Sequence, residues 1–205
     1  MNPTKEMIKW LFLSIAISVA ALIAGASSVT AAVTRCDGTL PGGTYDTVIV
    51  PKGKICIVGD GLGPVTVEQN VILQEGASIN GVAGVFTVNG NLQGDGVRNV
   101  DITGLPGVPT TIHGNVSITG ATGAVVVVFV NIGGNLNISD SNGLGIFVEE
   151  SQVNGNALFQ NNTTSRSFFI AGNTIVGNLV CNGNNPAPTV DTTTVGGQRM
   201  GQCAQ

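Results

Sequence analysis

The sequence predicts an all-β fold, namely a single-domain, right-handed parallel β-helix: a three-faced solenoid of about eight coils with 20–24 residues each. Three observations predict it. A tetrapeptide recurs at a nearly constant interval, short segments of alternating apolar and polar residues lie between its copies, and two pairs of cysteines are each about one interval apart. The hand follows from the general preference of parallel β crossovers for the right-handed connection.

The composition agrees with a weakly charged β protein. Of the 205 residues, 42% are hydrophobic, 10% are charged and 30 are glycines, and the formal net charge is −4. Globular proteins average about 25% charged residues. This composition therefore excludes a charge-rich coiled coil, a disordered acidic tail and an arginine-rich nucleic-acid binder, and we expect no nucleic-acid partner.

Residues 1–32 have the order of parts of a secretory signal peptide. A short basic region is followed by an apolar run of 15 residues at 10–24 and then by small residues through Ala32. The run is shorter than the roughly 20 residues that span a bilayer. We therefore expect cleavage after Ala31 or Ala32 and no stable membrane span after processing, with an uncleaved anchor as the alternative. The β-helix then occupies residues 33–205 of a secreted protein, in the extracellular space, at the cell surface or in the periplasm.

The repeated tetrapeptide is Ile or Val, any residue, Gly and Asn. Five copies and a sixth that ends in Gln occur at residues 88–91, 112–115, 132–135, 153–156, 175–178 and 195–198. Their glycines are 24, 20, 21, 22 and 20 residues apart, a period typical of a solenoid with one repeat per coil. We expect the glycine to supply the positive φ of a sharp corner. Stacking then aligns the asparagines in a structural ladder, with use of the row for binding as the alternative; the ladder comprises Asn91, Asn115, Asn135, Asn156 and Asn178.

Three short strands are expected in each coil. The first follows each tetrapeptide, and its alternation points one set of side chains inward: Val116, Ile118, Leu136, Ile138, Phe159 and Leu179. The second comes about ten residues later, at residues 100–102, 125–130, 146–148 and 168–170. The third contains the apolar residue that opens each tetrapeptide.

The four cysteines test the period independently. Cys36 and Cys56 are 20 residues apart, and Cys181 and Cys203 are 22 apart. One coil returns the chain to a position about 5 Å above its start, within the Cα separation of about 4.4–6.8 Å that a disulfide requires. Of three possible connectivities we expect Cys36–Cys56 and Cys181–Cys203, which clamp the first and last coils in an oxidising compartment. The cysteine spacing does not suit zinc, so no metal and no other cofactor is expected.

The outward residues of the first strand form a neutral column, which is the candidate binding face: Gln93, Ser117, Thr119, Asn137, Ser139 and Gln160. Small neutral polar side chains on a flat face suit a polysaccharide or another component of the cell envelope. Ice-binding solenoids display threonine arrays, and here only Ser117 and Thr119 approach that pattern. Ice binding is therefore a lesser alternative.

No catalytic residue is expected. Asp95, Asp101 and Asp140 fall at different distances from the repeat glycines, and the adjacent Glu149 and Glu150 point to opposite faces of a strand. Polysaccharide hydrolases and lyases on this fold need clustered acids. A carbohydrate-active β-helix is therefore the runner-up to a non-enzymatic protein.

The Gly-Asn repeats and the cysteine-containing ends, at residues 36–56 and 177–203, resemble a group of small secreted bacterial β-solenoid proteins of unassigned role. The resemblance covers about residues 33–205 and implies a parallel β-helix and export, with no catalytic residue to carry over. A looser architectural similarity to bactofilins, which form polymers, leaves monomer and end-to-end assembly both open. The sequence thus predicts a secreted, non-enzymatic, structural or adhesive protein at the cell surface or in the extracellular matrix.

Overall fold

The computed structural model describes residues 32–59, 61–81 and 85–204. The predicted signal peptide lies outside the described residues except for Ala32. No helix in these ranges has the length and hydropathy of a membrane-spanning segment.

Within these ranges the chain forms short β-strands and, at Gln202–Ala204, one turn of 3₁₀ helix. The strands in chain order are β1 (Val33–Arg35), β2 (Gly38–Leu40), β3 (Gly43–Tyr45), β4 (Thr47–Val50), β5 (Ile55–Val58), β6 (Val65–Val67), β7 (Val71–Leu73), β8 (Ser78–Gly81), β9 (Phe86–Val88), β10 (Leu92–Asp95), β11 (Asn99–Thr103), β12 (Thr110–Ile112), β13 (Val116–Thr119), β14 (Ala124–Val128), β15 (Val130–Ile132), β16 (Leu136–Ser139), β17 (Asn142–Glu149), β18 (Gln152–Val153), β19 (Ala157–Gln160), β20 (Thr163–Ala171), β21 (Thr174–Ile175), β22 (Leu179–Asn182), β23 (Thr189–Asp191), β24 (Thr194–Val195) and β25 (Arg199–Gly201).

The strands stack into three sheets, one on each face of the solenoid, and neighbouring strands in every sheet are parallel. Sheet A is β1-β4-β7-β10-β13-β16-β19-β22-β25, sheet B is β2-β5-β8-β11-β14-β17-β20-β23, and sheet C is β3-β6-β9-β12-β15-β18-β21-β24. Each coil adds one strand to each sheet. This arrangement confirms the predicted all-β, three-faced solenoid of about eight coils.

Inward side chains fill the interior as columns that run from coil to coil. In sheet A, Ile138 is in register with Ile118 on one side and with Phe159 on the other, and all three are buried. The Phe159 ring meets the Phe168 ring of sheet B edge-on, with centroids 5.5 Å apart. The six residues that alternation placed inward are all buried, as predicted. Each large apolar side chain removed from water contributes about 1.5–3 kcal/mol, so these columns are the main source of stability.

The predicted strand at residues 125–130 is wrong in one respect. The chain turns at Phe129, whose φ of 52° separates β14 in sheet B from β15 in sheet C. Val127 and Val130 are both buried on either side of this corner, so the apolar run in the sequence hides the turn. Non-glycine residues also have positive φ at this corner in later coils, namely Glu150 and Thr192.

The expectation that the repeat glycines supply positive φ is wrong. Their φ values lie outside the left-handed region, which is used instead at the corner after sheet A, where Gly120, Asp140 and Asn161 have φ between 52° and 64°. The repeat glycines are required by close approach between coils. A Cβ at Gly134 would lie 2.5 Å from Asn115 Oδ1 and 2.9 Å from the carbonyl oxygen of Gly114.

The two disulfides join the cysteines that the spacing pairs. Cys36 is bonded to Cys56 and Cys181 to Cys203, with Cα atoms 5.3 Å apart in both. The first bridge ties the segment between β1 and β2 to β5, and the second ties β22 to the 3₁₀ turn at Gln202–Ala204. All four sulfur-bearing side chains are buried. Both ends of the stack are therefore covalently joined to the next coil.

Candidate binding site

The outer face of sheet A carries a groove that includes half of the predicted binding column. The groove has a volume of about 430 Å³ and brings together Gln93, Ser117 and Thr119, with Ile72, Leu73, Gly94 and Asp95 completing its lining. Gln93 lies in register with Ser117, so their side chains are one rung apart on the same face. Asn137, Ser139 and Gln160 continue the face beyond the groove.

Ser139 differs from its expected exposure. It lies in register between Thr119 and Gln160, and only 8% of it is exposed. Its hydroxyl is 3.3 Å from the Thr119 hydroxyl. Ser139 therefore supports the face and does not offer a free hydroxyl. Asn137 is half-buried, and its Oδ1 has no hydrogen-bond partner.

Asp95 adds one carboxylate to the groove. It is exposed and in register with Thr119, whose column continues through Ser139 and Gln160. Asp95 has no ion-pair partner among the described residues. The groove is therefore lined by hydroxyl, amide and apolar groups around a single charge.

The asparagine ladder lies at the corner between sheets C and A. Asn135 Oδ1 accepts a hydrogen bond from the backbone N–H of Asn156 at 2.8 Å, and the same 2.8 Å contact joins Asn115 Oδ1 to Asn135 and Asn156 Oδ1 to Asn178. The ladder also begins one coil earlier than the repeats, because Asn70 Oδ1 accepts from the N–H of Asn91 at 2.9 Å. Backbone donors of the next coil occupy these side-chain oxygens, so the row is already used in joining coils.

The ladder extends to the sixth, variant repeat. The backbone N–H of Gln198 donates to Asn178 Oδ1 at 2.8 Å.

Sequence reasoning missed a second polar column, on the outer face of sheet C. We call it the threonine column; from coil to coil it contains Thr44, Thr66, Thr87, Thr111, Asn131, Gln152, Thr174 and Thr194, each in register with the next. The signal was present in the sequence, because each of these residues directly precedes the apolar residue of the third strand. The repeated tetrapeptide begins at that apolar residue, so the position before it was not compared between coils.

A shallow depression of about 200 Å³ interrupts the threonine column. Asn131 and Gln152 replace threonine there, and the depression is completed by Thr111, His113, Ile132, Gly133 and Asn154. Gln152 Nε2 donates to Asn154 Oδ1 at 2.9 Å, which orients both amides along one side. His113 is exposed at the rim.

Two side-chain ion pairs form among the described residues, and neither lines the groove or the depression. Lys52 pairs with Glu75 at 2.6 Å and Lys54 with Asp37 at 2.8 Å, on the exposed surface of the first coils. Such exposed pairs contribute little to stability. In the described part of the chain, no three His, Cys, Asp or Glu side chains lie close enough together to hold a metal ion.

Comparisons of the chain with protein-family models, with curated proteins and with solved structures find no match.

Proposed function

We propose that this protein is an exported, non-enzymatic solenoid that acts as a structural or adhesive component at the cell surface or in the extracellular matrix. The groove on sheet A would bind a polysaccharide or another cell-envelope component. The observation that carries the proposal is the convergence of Gln93, Ser117 and Thr119 on one groove of about 430 Å³.

The chemistry of the groove supports a neutral, hydroxyl-rich ligand. Amide and hydroxyl side chains both donate and accept hydrogen bonds, as sugar hydroxyls do. The partly exposed Ile72 adds apolar surface beside them, which suits the carbon-bound hydrogens of a sugar ring. Since Asp95 supplies the only charge of the lining, binding should depend weakly on salt.

Export is supported by the leader-like sequence and by the disulfides. Cys36–Cys56 and Cys181–Cys203 close the two ends of the solenoid. Structural disulfides of this kind form and persist in oxidising compartments such as the periplasm and the extracellular space.

Binding to defined polysaccharides tests the proposal. We expect the purified, disulfide-bonded mature protein to be retained by at least one polymer on a glycan array that includes cellulose and chitin. The double variant Gln93→Ala/Ser117→Ala should bind that polymer about tenfold more weakly, since each lost hydrogen bond weakens binding by about two- to tenfold. Asn80→Ala, an exposed amide in β8 of sheet B, is the matched control and should bind normally.

Asp95 is the one observation that favours the runner-up, a carbohydrate-active β-helix. Glycosidases use a pair of carboxyl groups. The lining of this groove contains one carboxyl group, that of Asp95. Release of reducing ends or of unsaturated sugars from the bound polymer, lost in Asp95→Asn, would overturn the adhesive role in favour of catalysis.

A further inference from the structure

We propose that sheet C carries a second binding site, in which the threonine column holds an extended, uncharged polysaccharide along the solenoid axis. This proposal rests on the proposed function, because the ligand is again a polysaccharide. The site lies on a different face, however, so an experiment can disprove binding at sheet C without disproving binding at sheet A, and the reverse. The threonine column is a periodic array with a distinct depression within it, and both features indicate how a linear polymer would lie.

The side chains of the threonine column are chemically alike and evenly spaced. Six of its eight members are threonines, and the other two, Asn131 and Gln152, are also neutral donors and acceptors. Parallel strands place successive members about 4.8 Å apart, so the column from Thr44 to Thr194 is about 34 Å long. A polymer with a short repeat can therefore meet one polar group at each rung.

The threonine hydroxyls are available to a ligand. None of the six forms a hydrogen bond to another described protein group, whereas Thr119 on sheet A contacts Ser139 at 3.3 Å. All six side chains are exposed or partly exposed. Because threonine is β-branched, few side-chain conformations are open to each hydroxyl before binding, and little conformational entropy is lost on binding.

The outer face of sheet C is narrow. Its strands have two or three residues, and in most of them the member of the threonine column points outward beside buried residues, as Thr87 does between Phe86 and Val88. A narrow face of this kind matches a single linear chain, whereas ice presents a two-dimensional lattice and would need regular parallel columns. The exposed residues directly beside the column, such as His113 and Asn154, are not threonines.

The depression marks one position along the threonine column. Asn131 and Gln152 line it between four threonines on one side and two on the other, and the amide of Asn154 and the imidazole of His113 lie beside them. Four polar side chains thus converge on about 200 Å³, where one sugar unit could be held more deeply than its neighbours.

Oligomer length and a matched set of variants test the inference. Calorimetric titration of the disulfide-bonded mature protein with β-1,4-linked glucose and N-acetylglucosamine oligomers of two to six units should show affinity that rises steadily with length. Thr87→Val/Thr111→Val removes two hydroxyls but keeps the branched shape, and should weaken hexamer binding about tenfold. Thr39→Val, the same substitution on the outer face of sheet B, should change nothing.

The outcomes separate this site from the one on sheet A. The proposal is supported if Thr87→Val/Thr111→Val loses hexamer binding while Gln93→Ala/Ser117→Ala binds normally. This result would assign binding to the threonine column even if the sheet A groove has no role. Normal hexamer binding in the sheet C variant overturns it, as does failure of the wild-type protein to bind either oligomer series. Inhibition of ice recrystallisation by the wild-type protein, abolished by Thr87→Val/Thr111→Val without any glycan binding, would assign the column to ice and also overturn it.

Discussion

Glycine serves two different purposes in this solenoid. At the corner after sheet A, Gly120 has a φ of 64° and room for a Cβ, whose nearest contacts would be at 3.5 Å. Asp140 and Asn161 occupy the same corner in the next coils with φ of 52° and 53°. Gly134, in the repeat, has no room, because a Cβ would lie 2.5 Å from Asn115 Oδ1. The first glycine is required for backbone conformation and the second for close packing of coils.

Alanine and asparagine substitutions distinguish these two purposes. We expect Gly120→Ala to lower the free energy of unfolding by about 1 kcal/mol, the cost of left-handed backbone. Gly120→Asn should cost less, because asparagine tolerates that conformation. Gly134→Ala and Gly134→Asn should both cost about 3 kcal/mol, since each forces two coils apart.

Urea denaturation of the four glycine variants provides the measurement. Equal losses for Gly134→Asn and Gly120→Asn would contradict the assignment, because asparagine relieves backbone strain but not a steric clash.

At the scale of the strands and corners, polar ladders join neighbouring coils on the outside and on the inside. Asn135 belongs to the exposed asparagine ladder. Asn162 is fully buried; its Oδ1 accepts from the N–H of Ser141 at 3.1 Å, and its Nδ2 donates to the carbonyl oxygen of Ile138 at 2.9 Å and to Asn184 Oδ1 at 2.9 Å. The buried amide follows Asn161, the left-handed corner residue, so the corner turns it inward.

The two ladders predict different costs for the same substitution. Asn135→Ala should lower the free energy of unfolding by about 1 kcal/mol, because water can replace the lost acceptor at an exposed site. Asn162→Ala should cost about 3 kcal/mol or more, because it leaves buried backbone groups without partners. Thermal and urea denaturation of both variants, with Asn154→Ala as an exposed control, would measure the difference. A smaller loss for Asn162→Ala than for Asn135→Ala would contradict this ranking.

At the scale of the whole molecule, the three outer faces differ in chemistry. Sheet C presents a neutral polar column and sheet A a polar groove that contains one carboxylate, whereas sheet B exposes Phe169, whose ring centroid lies 6.1 Å from that of Phe147. Each coil contacts mainly the coils above and below it, so stability adds up along the axis and is weakest at the ends. The two disulfides are located at those ends.

Removal of the C-terminal disulfide should therefore have a local effect. Cys181→Ala/Cys203→Ala opens a loop of 22 residues and should lower stability by about 3 kcal/mol. Hydrogen exchange measured by mass spectrometry should show faster exchange in β22–β25, while β10–β16 keep wild-type protection. Faster exchange spread evenly over all coils would instead show that the solenoid unfolds as one cooperative unit.

Much of this architecture was readable in the sequence because a solenoid repeats local chemistry. The period of the Gly-Asn tetrapeptide and the alternation after it predicted the coils and the buried residues such as Ile118, and the cysteine spacing predicted the bridges. These features depend on neighbours within a strand or on residues one period away, and a one-dimensional pattern records both.

Other features were decided only by contacts between coils. The corner at Phe129 was hidden because buried residues lie on both sides of it, and Ser139 is buried in register between Thr119 and Gln160, each one rung away. The steric need for Gly134 arises from Asn115 in the preceding coil, and the threonines of sheet C become one surface only when the register is known. The sequence by itself determined the period and the inward faces, while the tertiary structure decided which residues meet across coils, because side chains about twenty positions apart touch only after the stack has formed.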